Sequence, residues 1–327
     1  MLSTDLRALT ARAVLSRLPH RGLLNVAGDD RVPWLQGLVT QDLKSLNPGD
    51  SSYGCVLSLK GRVLTDFQVY AAPTALLLTM PRDRVGPVIE HLSKRLVIEE
   101  VALQDESEST VTFTVQGPTS AQILGEPDTD YSSKVIANTP VRLALRGWTG
   151  QLGYDVLVPA NRADAVFEAL VQAGAESVEL QSLETARISA GIPRYGMDFD
   201  ETTIPLEACL GDAIHWNKGC YLGQEVIARM AHRGHTNREL RRLHVNSPEP
   251  PTPNTLLFAP GQEAKAIGRI TSAAWNPVSE RVFAMAYVRR KWFEPGTTLS
   301  LNTSENEAAE ATILDETIRN LVPDEEP

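Results

Sequence analysis

Five prolines between residues 246 and 260 divide the chain into two regions of different character. Proline has no backbone N–H and a fixed φ, so such a stretch continues neither a helix nor a central strand. The region before it alternates helical and strand-like patterns without a regular βαβ repeat, which favours an α+β fold over a doubly wound sheet. Residues 266–300 are strand-like and interrupted by turn residues, which predicts a small β-domain. The sequence therefore predicts that the proline-rich stretch is a linker or a rigid crossover, followed by a small β-domain.

The length and charge of the chain narrow the class of protein. It has 327 residues, enough for about two domains, and a formal net charge of -10. An acidic surface makes nucleic acid an unlikely partner. No apolar run approaches the ~20 residues of a membrane-spanning helix. The N-terminal residues 2–13 fit an amphipathic helix. Their spaced arginines also resemble a mitochondrial leader, but Asp5 argues against that alternative, and we expect a cytoplasmic protein.

The chain has only three cysteines, Cys55, Cys209 and Cys220, and none lies in a CxxC pair. Three cysteines cannot make a disulfide framework, which fits a reducing compartment. His215 and His232 flank Cys220, but together these residues have no recognised zinc-ligand spacing. We expect no metal site.

A helical segment near residue 180 carries a charged residue on an apolar face. Leu180, Leu183, Arg187 and Ala190 fall on one side of this helix. A buried guanidinium needs an anionic or planar partner, because an unpaired internal charge is costly. That partner is either a ligand or Glu184, three residues earlier on the same helix. The sequence leaves both open.

The string KGCYLGQE at residues 218–225 precedes a helical run that begins near Val226. Lys218 and a following helix N-terminus both favour the thiolate of Cys220, although a packed, inert cysteine is the alternative. Between Arg229 and Arg242 lies the one basic concentration of this acidic chain. It is either a solvated face or a place that receives a polyanionic tail.

These motifs resemble those of a known protein family. KGCYLGQE matches the signature of the YgfZ family, folate-binding proteins related to the glycine-cleavage T-protein and associated with iron–sulfur cluster assembly or repair. Residues 34–43, 149–155 (TGQLGYD), 186–198 (ARISAGIPRYGMD) and 267–288 resemble T-protein segments. The octapeptide is the specific match, and the other segments corroborate it over most of the chain.

The resemblance implies a T-protein-like cloverleaf. Two interleaved folate-binding subdomains would occupy residues 1–240, a C-terminal β-barrel residues 241–318, and an acidic tail residues 319–327. Tetrahydrofolate, or a one-carbon-substituted folate, is the implied cofactor.

The resemblance also implies cofactor-binding residues. T-proteins hold the pterin with the Glu of TGExGYE and an Arg of the later helix, which correspond here to Gln151 and Arg187. Tyr195, in the segment 186–198, and Glu225, in the octapeptide, are further candidates for folate binding. An amide at position 151 loses the charge-assisted part of the bond, which predicts weaker pterin binding.

Three residues are candidates for chemistry: Asp66, Cys220 and Lys218. T-proteins carry consecutive acidic residues, of which only Asp66 is present in this chain. This difference predicts that aminomethyl transfer is lost or altered. We expect a tetrahydrofolate-binding accessory protein that supports iron–sulfur client proteins through Cys220. The alternative is a tetrahydrofolate-dependent aminomethyltransferase or other one-carbon transferase that uses Asp66. A folate-responsive scaffold without chemistry of its own is a third hypothesis.

Overall fold

The computed structural model describes residues 1–233, 236–302 and 308–314, with the side chains of 232, 233, 262–264, 302 and 308 left out. The predicted acidic tail, residues 319–327, lies outside the described residues, as do residues 315–318 of the predicted barrel domain.

Strands dominate the described chain. In chain order they are β1 (Val14–Arg17), β2 (Arg21–Ala27), β3 (Ser51–Leu57), β4 (Val63–Ala71), β5 (Ala75–Pro81), β6 (Ala102–Asp105), β7 (Thr110–Gln116), β8 (Tyr131–Ile136), β9 (Thr139–Leu145), β10 (Gly153–Pro159), β11 (Glu176–Ser177), β12 (Arg238–Asn246), β13 (Leu256–Ala259), β14 (Gln262–Asn276), β15 (Arg281–Arg289), β16 (Thr298–Asn302) and β17 (Ala308–Ile313).

The α-helices are α1 (Leu2–Ala11), α2 (Arg31–Gln36), α3 (Arg82–Ser93), α4 (Ser120–Leu124), α5 (Ala163–Gln172), α6 (Leu180–Ala190) and α7 (Gln224–Arg233). Short 3₁₀ turns occupy Ala160–Arg162, Pro205–Ala208, Gly211–Ala213 and Arg290–Trp292. No helix within the described ranges is long and apolar enough to cross a membrane.

The first two sheets are interleaved along the chain. A six-stranded sheet has the order β11-β1-β7-β10-β9-β8, and a five-stranded sheet has the order β3-β4-β5-β2-β6. Strand β1 thus belongs to the first sheet, the next five strands build the second, and the chain then returns to the first. The predicted α+β architecture with two interleaved subdomains is confirmed.

The five-stranded sheet is covered on both faces at its centre, so strands β4 and β5 are buried almost throughout. Phe67 and Val69 of β4 pack with helices α2 and α3 on one face. Tyr70 lies on the other face, where its ring stacks on Tyr131 of the six-stranded sheet at 5.6 Å between centroids. Since side chains alternate along a strand, Asp66 and Gln68 share the face of Tyr70. We call this the inner face, because it is turned toward the six-stranded sheet.

The third sheet is a closed barrel with the strand order β12-β15-β14-β13-β16-β17. Strand β12 pairs with both β15 and β17, which closes the ring. Its interior holds small and branched apolar side chains such as Leu243, Ile270 and Leu299. The predicted C-terminal β-barrel is confirmed. The proposed domain boundary at residues 240 and 241 lies inside β12.

One buried carboxylate, Asp198, joins the barrel to helix α6. Its Oδ1 accepts hydrogen bonds from the hydroxyls of Thr271 (2.7 Å) and Ser272 (2.6 Å) in β14. Its Oδ2 accepts from Arg187 Nη1 (2.6 Å) and from the backbone N–H of Arg194 (3.0 Å). The carboxylate side chain has no solvent exposure, so these bonds replace its hydration and fix the barrel against the folded half that contains α6.

We predict that Asp198→Asn destabilises the protein strongly, because the buried Arg187 loses its most buried anionic partner. Breaking a buried ion pair on one side costs about 3–5 kcal/mol, and we expect about 3 kcal/mol since Glu184 remains paired with Arg187. Urea unfolding measures the loss. Asp164→Asn is the matched control: it removes an acid whose ion pair with Arg17 is exposed, and we expect little change. Equal effects of the two substitutions would contradict the assigned role of Asp198.

Candidate functional site

A cavity of about 170 Å³ lies at the inner face of the five-stranded sheet. We call it the central cavity. Among the side chains that line it are those of His20, Arg21, Asp66, Trp148, Arg194 and Tyr195. It opens to solvent where Asp83 and Met197, both exposed, also line it.

The strand register explains why charged residues meet there. Arg21 pairs with Pro81 across β2 and β5, and Gln68 pairs with Thr79 across β5 and β4. In an antiparallel pair this register brings Asp66 to the level of Pro81. Arg21 and Asp66 therefore lie at the same end of the sheet, two strands apart.

Asp66 is buried beside the cavity with one oxygen paired and one unpaired. Its Oδ2 accepts a hydrogen bond from the hydroxyl of Tyr53 at 3.0 Å. Its Oδ1 is buried and has no partner among the described residues. A buried, unpartnered carboxylate oxygen is costly in an empty site and available to a ligand.

The loop between β9 and β10 forms the opposite wall. The Arg21 guanidinium carbon lies 5.0 Å from the Trp148 ring centroid, and that of Arg146 lies 4.3 Å from it. Trp148 Nε1 donates to Asp155 Oδ1 at 2.8 Å, while Asp155 Oδ2 is buried without a described partner. Burial raises the pKa of Asp155, although Arg146 and the Trp148 N–H oppose this effect.

Sequence reasoning missed Asp155. In the segment TGQLGYD, the fully buried carboxylate is that of Asp155, at the end of the motif, whereas Gln151 lies half-buried in the loop. No hydrogen bond from the Gln151 side chain is present within the described part of the chain. Strand alternation contained the signal, because Asp155 interrupts an otherwise apolar strand, Gly153–Pro159. The folate-binding role of Gln151 stays a prediction.

Arg187 makes the intrahelical pair that the sequence left open, and more. Its Nε donates to Glu184 at 2.8 Å, and its Nη1 to Asp198 and to the Ile192 carbonyl. Its Nη2 is buried without a described partner. Arg187 lines a small gap beside His20 and Trp148 rather than the central cavity itself. Arg187 thus lies where it supports the wall of the central cavity.

Tyr195 lines the central cavity directly. Its ring packs edge-on against Phe199, and its hydroxyl is buried without a described partner. Burial raises the pKa of Tyr195 well above its usual range, so the hydroxyl remains a hydrogen-bond donor at neutral pH.

The octapeptide lies elsewhere, in the loop before α7 and in the first two residues of that helix. Lys218 Nζ donates to the carbonyl of Val39 at 2.7 Å and to that of Gln41. Burial lowers the pKa of Lys218 to about 8, against the attraction of Asp42. Lys218 therefore fixes the loop to the segment between α2 and β3.

The other two octapeptide candidates are exposed. Cys220 has an exposed side chain, and Glu225 is exposed and pairs with Arg229 on α7. Neither lines the central cavity. Gly223 has φ +84, and a Cβ there would lie 2.5 Å from the Ser58 carbonyl oxygen, so glycine is required for this loop to approach the β3–β4 turn.

The basic concentration between Arg229 and Arg242 is spread over α7 and β12. Arg229 pairs with Glu225, Arg238 with Glu207 at 3.2 Å, and Arg241 with Glu239 at 2.6 Å. Residues 234–235 and the side chain of Arg233 lie outside the described residues. These pairings favour a charge-balanced surface over a site for a polyanionic tail.

Comparisons with known proteins agree with this architecture. Residues 2–218 match the GCVT N-terminal domain, and residues 238–318 match the glycine cleavage T-protein C-terminal barrel domain. The chain belongs to the glycine cleavage T-protein family. In the structural comparison, the fold resembles that of the aminomethyltransferase T of Bartonella henselae, with a TM-score of 0.85 at 22% identity over 98% of this chain and 90% of that chain.

Curated relatives are named as transferases. An aminomethyltransferase of Thermus thermophilus is 29% identical over 82% of this chain and 77% of the relative. One of Saccharopolyspora erythraea is 29% identical over 90% of this chain and 84% of the relative. A putative chloroplastic transferase of Arabidopsis thaliana is 25% identical over 88% of this chain and 68% of the relative.

The burial of His20 makes the stability of the protein sensitive to acid. Burial lowers the pKa of His20 to about 3, and Arg21, Arg194 and Arg187 act in the same direction. The unfolded imidazole takes up a proton near pH 6.5 and the folded one only near pH 3, so stability falls as the pH falls below 6.5.

We predict that the titration of His20 lowers the free energy of unfolding by about 2 kcal/mol when the pH falls from 7.5 to 5. Urea unfolding of the wild type and His20→Gln at both pH values measures it. The carboxylates contribute equally to both proteins, so the difference between the two pH effects isolates His20. An identical loss of stability in both proteins would show that His20 titrates normally in the folded state.

Proposed function

We propose that the protein binds tetrahydrofolate in the central cavity and acts as a tetrahydrofolate-dependent aminomethyltransferase or other one-carbon transferase. The observation that supports this most is the buried, unpartnered Oδ1 of Asp66 at the cavity. The transferase names of the relatives favour this function over the iron–sulfur role expected from the octapeptide.

The residues of the central cavity fit a pterin. A volume of about 170 Å³ holds at least one aromatic ring, since a cavity of ~150 Å³ suffices for benzene, and the cavity is open beside Met197 for the rest of the ligand. Three lining residues, His20, Arg21 and Tyr195, add buried unpartnered atoms to that of Asp66: Nδ1, Nε and a hydroxyl. Such a mixture of donors and acceptors suits a ring with polar edges.

Tetrahydrofolate supplies a ring nitrogen, N5, that carries one-carbon units. Asp66 supplies a carboxylate oxygen that can hold a proton at Oδ1 and stabilise positive charge nearby, while Tyr53 fixes Oδ2. Trp148, held by Asp155 and Arg146, provides a flat wall that excludes water from one side. We further propose that Arg187 and Gln151 help to hold the cofactor.

We predict that Asp66→Asn lowers the rate of one-carbon transfer by about 100-fold or more, because positioned acid–base groups contribute at least that much. Tetrahydrofolate affinity should change only a few-fold, since Asn keeps the size, and its amide N–H can donate to the Tyr53 hydroxyl while its oxygen remains an acceptor toward the ligand. A glycine-cleavage assay with the partner proteins measures transfer, and calorimetry measures binding. Asp83→Asn, at the exposed mouth, is the control. Full activity of Asp66→Asn would contradict an essential role of this carboxylate.

The iron–sulfur role is the second candidate, and one observation favours it. Cys220 is exposed in a loop that Lys218 and Gly223 hold in place, and its motif matches that of the YgfZ family. In this proposal Cys220 serves iron–sulfur client proteins in the cytoplasm. The three free cysteines support a reducing compartment.

Complementation separates the two candidates. If the thiol acts on iron–sulfur proteins, Cys220→Ser should bind tetrahydrofolate normally but fail to restore iron–sulfur enzymes in cells that lack the protein. Cys209→Ser is the matched control, because this half-buried thiol lies outside the octapeptide, where it donates to the Leu240 carbonyl and accepts from Arg241 Nη1. Full restoration by Cys220→Ser would remove the thiol from the function. If Asp66→Asn and Cys220→Ser both retain full function, the scaffold hypothesis is favoured.

A further inference from the structure

His20 is a cavity residue that the proposed function does not yet use. It lies just before β2, and its ring meets the Trp148 ring edge-on, at 6.4 Å between centroids and an interplanar angle of 76°. It lines both the central cavity and the small gap next to Arg187. Its Nδ1 is buried without a partner, and neither ring nitrogen hydrogen-bonds to a described residue.

Burial keeps the His20 imidazole neutral, and the charges around it add to this effect. Arg21 on β2, Arg187 on α6 and Arg194 after α6 all disfavour the imidazolium form. Two carboxylates, Asp66 on β4 and Asp83 on α3, also line the cavity, yet the imidazole remains unprotonated far below neutral pH. A neutral imidazole carries one N–H and one lone pair, and Nδ1 is the ring nitrogen of His20 that is buried without a described partner. With the proton on Nε2, which is the tautomer that an imidazole without partners favours, the lone pair on Nδ1 makes His20 a hydrogen-bond acceptor.

The central cavity therefore has two acceptors at separate positions. Asp66 and His20 belong to β4 and to the start of β2, with β5 between them. Strands two positions apart are separated by about 10 Å. A flat ring lying between them can meet one acceptor at each side, provided that both of its facing atoms are N–H donors.

Reduced and oxidised pterins differ at these atoms. Tetrahydrofolate has N–H groups at N5 and N8, whereas folic acid has bare ring nitrogens there, which are acceptors. An acceptor that faces another acceptor leaves both polar groups unsatisfied in a buried site. The cavity should therefore penalise the oxidised ring.

We propose that His20 is a specificity-determining residue, which accepts a hydrogen bond from a ring N–H of the reduced pterin and so selects tetrahydrofolate over folic acid. This inference rests on the proposed function. A merely structural His20, packed on Trp148, would affect binding of both ligands alike and would not set their ratio.

The test is the binding of three probes that differ in their ring N–H groups: tetrahydrofolate (N5–H and N8–H), 7,8-dihydrofolate (N8–H only) and folic acid (neither). Calorimetry under anaerobic conditions gives Kd for the wild type, His20→Leu and His20→Gln. His91→Asn is the matched control, because His91 is a half-buried histidine with an unpartnered Nε2 that does not line the cavity.

The wild type should prefer tetrahydrofolate to folic acid at least tenfold, and His20→Leu should reduce that ratio by about tenfold. His20→Gln, which keeps an acceptor, should retain more of the ratio than His20→Leu, and His91→Asn should retain all of it. If His20→Leu loses discrimination between folic acid and 7,8-dihydrofolate, N8–H is the donor. If it loses discrimination between 7,8-dihydrofolate and tetrahydrofolate, N5–H is the donor. The wild-type ratio should stay constant from pH 6 to pH 8, because the imidazole does not titrate there.

A wild-type ratio left intact by His20→Leu and His20→Gln would overturn the inference while leaving the proposed function standing. A wild-type ratio that changes with a midpoint near pH 6.5 would also overturn it. Absence of binding of any of the three probes by the wild type would instead overturn the proposed function itself.

Discussion

The buried carboxylate of Asp198 is the interaction on which the relation between the two halves of the protein depends. It accepts hydrogen bonds from two barrel hydroxyls, Thr271 and Ser272, and pairs with Arg187 of α6. Such a group is stable only when all its partners are in place. The segment after α6, which carries Arg194 and Tyr195 into the cavity wall, is thereby fixed to the barrel. The barrel thus contributes to the site although none of its residues is among those lining the central cavity.

The cavity itself follows from the alternation of side chains in β2 and β4. The residues on one face of the five-stranded sheet pack on helices. On the other face Gln68 accepts from Arg146 and Arg21 lies over the Trp148 ring, both in the β9–β10 loop, while Asp66 accepts from Tyr53 of β3. Polar groups are buried there with unpartnered atoms, an arrangement that is costly unless a ligand completes the bonds. The residues that lower the stability of the fold are therefore the same residues that can bind a ligand.

Much of the fold could be predicted from the sequence. The strand-like pattern of residues 266–300 indicated the barrel, and the motif resemblance indicated the interleaved sheets. The prolines at 246–260 did not mark the start of the barrel, because they follow its first strand, β12, and surround β13. Asp66 and Tyr195 were named as candidates, and both line the cavity. Asp155 was missed although its place in an apolar strand was a local signal. His20 was missed because its significance depends on long-range neighbours, such as Arg194 and Trp148, that no local pattern reveals. The carbonyl partners of Lys218 were equally hidden, since Val39 is 179 residues away in the chain.

The most direct test of the account is a crystal structure of the wild-type protein with tetrahydrofolate. We expect the pterin ring to lie in the central cavity beside Trp148, within hydrogen-bond distance of Asp66 Oδ1. A pterin bound outside this cavity, for example in the 350 Å³ pocket between Asp200 and Arg269, would contradict it.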